Sequence, residues 1–120
     1  SVRYAKERVQ FGQPIANFQL IRAKLADMAA GVDMARAYAH HIIAMIEQGK
    51  RVTKEAAILK FFATEMTTRS ALEAVQIYGG YGYTKEFPVE RYVRDAKLFE
   101  IGGGTNEIQR MIVARELLKD

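Results

Sequence analysis

Two glycine clusters are the places where this chain could do chemistry. Near the C-terminus, Gly102, Gly103 and Gly104 run into Thr105, Asn106 and Glu107. Three successive residues without side chains are costly to order, so something there requires bare backbone. An apolar helical pattern starts directly afterwards. The free N–H groups of a first helical turn, with the positive end of the helix dipole, make a ready anion site. A tight turn between two helices would use the same glycines. The residues alone leave both readings open. The stretch is no dinucleotide fingerprint, because Glu107 stands where the last glycine of G-x-G-x-x-G belongs, and no Gly-Lys-Ser/Thr makes it a phosphate loop.

The second cluster is Gly79, Gly80 and Gly82, with Gln76 just before it. It reads as a helix end followed by a turn. Arg8 lies shortly before Phe11-Gly12, where a lone arginine at a helix end ordinarily complements the dipole. His40 and His41 are adjacent, so a helix points them to different faces and they cannot share a metal. Cysteine is absent, which excludes a disulfide scaffold and a thiolate metal site. Glu65 and Glu73 share roughly one helix face, and surface salt bridges are their expected use. No Ser-His-Asp or Cys-His constellation can be argued.

Helices must position these residues. From Phe18 the apolar residues Ile21, Leu25, Met28, Val32, Ala35, Ala39, Ile42 and Ile46 recur at steps of three and four, one face of a long helix that Gly49 stops. A second helix begins at Thr53, expected as its N-cap, and ends at Gly79-Gly80. Its line is Ile58, Phe61, Phe62, Met66, Leu72 and Val75. YGYTKEFP reads as a loop, after which Pro88 opens a short helix through Val89, Tyr92, Val93 and Ala96. The glycine triplet breaks it. A last helix takes Thr105 or Asn106 as cap and carries Ile108, Met111, Ile112, Leu117 and Leu118. Residues up to Phe11-Gly12 read as the tail of another helix. No strand alternation and no internal repeat is visible. Short loops predict that successive helices pack antiparallel.

The totals fit this picture. At 120 residues the chain is one domain by length, residues 1–120, and 49% apolar content supplies a core. The formal charge of +4 comes from scattered lysines and arginines rather than a massed patch, which argues against nucleic acid. No run approaches the roughly 18 apolar residues of a membrane span. The start carries no initiator Met and no apolar leader segment, so a processed chain or a piece of a longer one is expected.

Three motifs in order, RVQFGQPI with the following FQ, QIYGGYGYTKEFPVER with RDAK, and GGTNEIQR with VARELL, resemble the C-terminal helical domain of the flavin-dependent acyl-CoA dehydrogenases. The resemblance covers essentially the whole chain. It implies an all-α, antiparallel up-and-down four-helix bundle whose first helix is truncated here. It implies FAD as cofactor, an acyl-CoA substrate, an electron-transfer flavoprotein as partner and a homodimer or homotetramer. The compartment would be the bacterial cytoplasm, or the mitochondrial matrix in a eukaryote. Arg8 and Gln19 would meet the FAD of a neighbouring subunit. Gln76, Ile77, Tyr78, Gly79 and Gly80 would line FAD as well. Thr105, Asn106 and Glu107 would hold the FAD of their own subunit, and Gly103 and Gly104 would lie beside the acyl thioester.

The family's reaction is α,β-dehydrogenation, with a glutamate as the base that removes the α-proton. In many members that glutamate sits at the position of Gly103, which has no side chain. In the isovaleryl-type and long-chain-type branches, to which the last loop is closest, a small residue stands there and the base comes from the bundle's first helix. The resemblance therefore implies no catalytic base within this chain. Glu100 lies three residues too early to take its place. A relative without dehydrogenase activity, or a self-associating helical module without flavin, is the alternative reading.

Overall fold

The computed structural model describes residues 1–119. Helix α1 (Val2–Glu7) leads into a two-stranded antiparallel pair, β1 (Val9–Gln10) and β2 (Gln13–Pro14), and a 3-10 turn over Ile15–Asn17. Helices α2 (Gln19–Glu47), α3 (Thr53–Tyr78), α4 (Gly80–Tyr83), α5 (Val89–Ile101) and α6 (Asn106–Leu117) follow. The all-α class is as expected.

Helix α3 is the axis of the molecule. α2 runs antiparallel along one side of it, since Lys24 pairs with Glu73 and Gly31 sits against Met66. On the other side, Glu100 at the end of α5 meets Thr68, Arg110 in α6 meets Glu65, and Glu116 meets Arg51. α5 and α6 therefore descend α3 one after the other, as a single leg broken by the glycine triplet. This corrects the expectation that each successive pair would turn back on itself. α5 buries Val89 and Ala96, whereas α6 packs on α3 with Asn106 buried and leaves Ile108, Met111 and Leu117 of its apolar stripe exposed, and the turn between them only shifts the chain sideways. The fourth leg of the expected bundle is represented by α1 alone, six residues long.

The interior is thin. Its buried apolar residues are mostly small, with Ala57, Ala71, Ala74 and Ile77 on α3 and Ala96 on α5. Alanines let the helix axes approach closely, and no large side chain is fully buried among the described residues. The extents of 61 × 24 × 22 Å reflect this layer of legs around one rod. At the end where α1 docks, Ala5, Ile15 and Ile77 form a small cluster with Tyr4, Phe18, Ile21 and Leu25 packed on it.

Three local expectations need correction. The strands were unexpected: Val9 pairs with Pro14 and Gln10 with Gln13, leaving Phe11 and Gly12 as a two-residue turn. Both turn residues have positive φ, 52° and 77°, as a hairpin turn of this kind demands. Four paired residues are too few to show alternation. Thr53 is the first helical residue rather than the cap; Val52 takes the cap position, and the Thr53 hydroxyl accepts from Arg51 Nε at 3.0 Å instead. Within the expected loop, Gly80–Tyr83 closes one helical turn.

Candidate functional site

The structure gathers one group of the expected residues and leaves a second group elsewhere. Arg8 follows α1, and its backbone is fixed from both sides. Its N–H donates to Tyr4 O at 2.8 Å, and its carbonyl accepts from Ile15 N at 2.8 Å. The guanidinium lies 5.1 Å above the centre of the Tyr81 ring. No carboxylate pairs with it among the described residues. Arg8 lines a cleft of about 530 Å³ together with Ile77, Tyr78, Gly79, Gly80 and Tyr81.

The local sequence explains the cleft's floor. α3 stops because Gly79 takes φ +61°, a conformation side chains resist. A Cβ built on Gly79 or Gly80 meets nothing within 4 Å, so this backbone is open to a ligand. Gly82 differs: its Cβ would fall 2.6 Å from Val75 O, so this glycine is required by packing. Gln76 is exposed on the last turn of α3, outside the cleft lining. Gln19 is exposed at the first position of α2, at the same end of the molecule given the antiparallel register.

The second group lies lower on α3. Asn106 contacts Lys60 and Thr64, which puts the start of α6 roughly 25 Å from Gly79 at 1.5 Å per helical residue. Gly103 and Gly104 take φ +66° and +84°. The Gln109 amide donates back to the carbonyls of Gly103 and Gly104 at 3.2 and 3.4 Å. Thr105 is the N-cap of α6, accepting from Ile108 N at 3.4 Å. The carboxyl of Glu107 is held below the ordinary carboxylate range, first by its own backbone N–H and then by the Thr105 hydroxyl. Asn106 is buried, and its side chain is committed inward: Oδ1 accepts from Lys60 at 2.8 Å, and Nδ2 donates to Thr64 at 3.0 Å and Glu65 at 3.3 Å. Only its backbone faces outward chemistry. Asn106 and Glu107, in the first turn of α6, have N–H groups with no carbonyl four residues back within the helix.

Residues 1–118 match the family profile for the acyl-CoA dehydrogenase C-terminal domain. The chain belongs to the acyl-CoA dehydrogenase family. It is 56% identical to a probable acyl-CoA dehydrogenase of Bacillus subtilis, YngJ, over 99% of this chain and 31% of that protein. It superposes on butyryl-CoA dehydrogenase from Megasphaera elsdenii with a TM-score of 0.94 at 47% identity, covering 98% of this chain and 31% of that one. A structure of PigA in complex with FAD gives a TM-score of 0.92 at 31% identity, over 97% of this chain and 30% of that one. The chain thus spans about a third of the length of the proteins it matches.

Against the acyl-CoA dehydrogenase domain, the remaining polar residues are accounted for by structure. Glu65 pairs with Arg110 at 2.6 Å, and Glu73 pairs with Lys24, as expected of surface carboxylates. Glu100 points away from the turn into α3, where its carboxylate accepts from Thr68 at 2.5 Å and from Lys97 at 2.6 Å. These two donors, Lys97 foremost, lower its pKa. No cluster of metal-ligating residues occurs among the described residues, and none of their helices is long and apolar enough to cross a membrane. Lys60 was missed in the sequence, because a single lysine at mid-helix reads as a solvated side chain.

Proposed function

We propose that this chain is the part of a flavin-dependent acyl-CoA dehydrogenase that helps hold FAD, borders the acyl thioester and joins subunits. The observation that carries the reading is an unpaired Arg8 beside the bare backbone of Gly79 and Gly80. A cation and an open glycine edge suit a pyrophosphate, which takes a guanidinium and backbone approach together. Gln19, Gln76, Ile77 and Tyr78 would border the same cofactor. The first turn of α6, with Thr105, Asn106 and Glu107, offers N–H donors at the other end of the domain. The separation of the two groups along α3 suits a cofactor touched by two copies of the chain.

When bound, FAD would supply the acceptor for the hydride that leaves the substrate's β-carbon. The chain's own residues position and bind. Gly103 and Gly104 would let the thioester approach the backbone closely, because no Cβ stands there. None of these residues acts as the base: Gly103 has no side chain, Glu100 is tied to Thr68 and Lys97, and Glu107 is held by its own backbone N–H and the Thr105 hydroxyl. We assign the α-proton to a carboxylate outside residues 1–120 and expect no turnover from this chain by itself. An electron-transfer flavoprotein would reoxidise the whole protein, in a bacterial cytoplasm or a mitochondrial matrix.

The test is flavin binding by the full-length protein. A yellow preparation with a flavin absorbance band is expected, and Arg8→Ala should raise the FAD Kd about tenfold, as loss of a charge-assisted hydrogen bond does. A colourless oligomer with no FAD titration signal would favour the rival reading of a self-associating module. That rival draws on the exposed apolar side chains of α2 and α6, among them Val32, Met34, Ile43, Ile46, Met111 and Leu117.

A further inference from the structure

Within the turn between α5 and α6, the Gln109 amide holds the carbonyls of Gly103 and Gly104 at 3.2 and 3.4 Å, but it ties them only to α6. Gly102, Gly103 and Gly104 contribute no side chains, and two of them sit at positive φ. Yet the fold must hand the chain from one helix to the next at a fixed place if Thr105 and Asn106 are to meet a ligand. The side chains beneath the turn come from one face of α3, at steps of four: Lys60, Thr64 and Thr68.

Each of the three has a separate duty. Thr68 donates to the Glu100 carboxylate at 2.5 Å. Thr64 exchanges hydrogen bonds with the Asn106 side chain at 3.0–3.1 Å. Lys60 alone reaches both sides of the glycines. Its Nζ donates to the backbone carbonyl of Glu100 at 3.2 Å, in the last turn of α5, and to Asn106 Oδ1 at 2.8 Å, at the first residue of α6. The carbonyl of Glu100 belongs to a helix C-terminus, where dipole and missing N–H partners both favour a cation. Asn106 is only 3% exposed, so the Lys60–Asn106 bond is shielded from water.

We propose that Lys60 is a positioning residue that clamps the two ends of the Gly102–Thr105 turn. It fixes where the first turn of α6 presents its N–H groups, and so sets the affinity of that turn for the cofactor. The clamp is a property of the protein alone; only its effect on FAD rests on the function proposed above. Removing Lys60 leaves the flanking helices packed on α3 but lets the glycines sample other conformations.

Hydrogen exchange of the full-length protein tests this with and without added FAD. Lys60→Met should speed exchange at residues 102–109 by about tenfold or more, while α2 amides stay at their wild-type rates. Lys60→Arg, which keeps a cation with several donors, should recover most of the protection. Lys24→Met removes a half-buried ion pair on the opposite side of α3 and should leave residues 102–109 unchanged. The FAD Kd should follow the exchange, rising about tenfold for the Met variant only. Wild-type exchange at the turn in Lys60→Met would overturn the clamp. If that variant does not fold, Asn106→Ala, which removes the far anchor, must show the same local loosening, and its absence would overturn the clamp equally. A wild-type protein that binds no FAD would refute the function proposed above and leave the exchange result standing.

Discussion

The Tyr4 ring stacks on that of Tyr78 with centroids 3.9 Å apart, and the Tyr4 hydroxyl donates to the Tyr78 backbone carbonyl at 3.2 Å. One residue of α1 thus satisfies an orphan carbonyl in the last turn of α3 and covers its aromatic face. Phe87 packs edge-on against both rings, at 6.0 and 5.2 Å. The cleft beside Arg8 is built on this contact. Tyr4→Phe should cost about 1 kcal/mol, the net worth of one hydrogen bond. Tyr4→Ala should cost about 3 kcal/mol, since it also opens a hole beside Tyr78. Urea denaturation midpoints of the two variants would show the difference.

Gly80 and Gly82 are two residues apart and should respond oppositely. Gly82→Ala forces a Cβ to 2.6 Å from a backbone oxygen that cannot turn away, and a loss of about 2 kcal/mol or more is expected. Gly80→Ala meets open space, so its stability should stay within about 0.5 kcal/mol of wild type. A bulkier Gly80→Leu should then weaken flavin binding with an unchanged Tm. Equal Tm losses in Gly80→Ala and Gly82→Ala would contradict this assignment.

Gly31 lets α2 and α3 touch. A Cβ there would lie 2.6 Å from Met66 Cγ. Gly31→Val should destabilise by about 1–3 kcal/mol through overpacking. Met66→Ala in the same chain should return part of that loss, because it removes the atom in the way. A double-mutant cycle with no coupling between the two positions would show that the helices separate rather than collide.

The Glu100 carboxyl should leave a mark on acid stability. Its folded pKa is lowered by Lys97 and then by Thr68, so the unfolded chain binds its proton more readily. Its contribution is complete above the ordinary glutamate pKa and is lost as pH falls through the lower folded value. Glu100→Gln should flatten that part of the acid limb of a stability–pH curve below about pH 4.5 and leave the slope near neutrality unchanged. An identical acid limb in the variant would mean that the pairing with Lys97 and Thr68 is not maintained in solution.

The long elements were legible because their signals are redundant. α2 spans Gln19–Glu47, as the apolar steps from Phe18 to Ile46 indicate, and Gly49 takes φ +72° as a stop should. α3 begins at Thr53 and ends before Gly79 as read. The features that escaped depend on partners distant in sequence. The Phe11-Gly12 hairpin is too short for a period. The shared leg of α5 and α6 is decided by what both bury against α3, which loop length does not encode. The site was legible as two glycine-lined helix ends. What supports them was not: Lys60 lies more than 40 residues from Asn106, and no local pattern distinguishes it from Lys54 or Lys97.

The alanine seam of α3 has a calorimetric consequence. Unfolding exposes apolar area in proportion to what was buried, and heat capacity follows that area. With Ala57, Ala71, Ala74 and Ala96 in place of leucines or phenylalanines, a single copy should show a heat-capacity increment below the usual 12–15 cal/mol/K per residue. Its melting should be correspondingly broad. Most of the sharpness of its thermal transition should therefore come from whatever covers its open faces, and should grow with protein concentration.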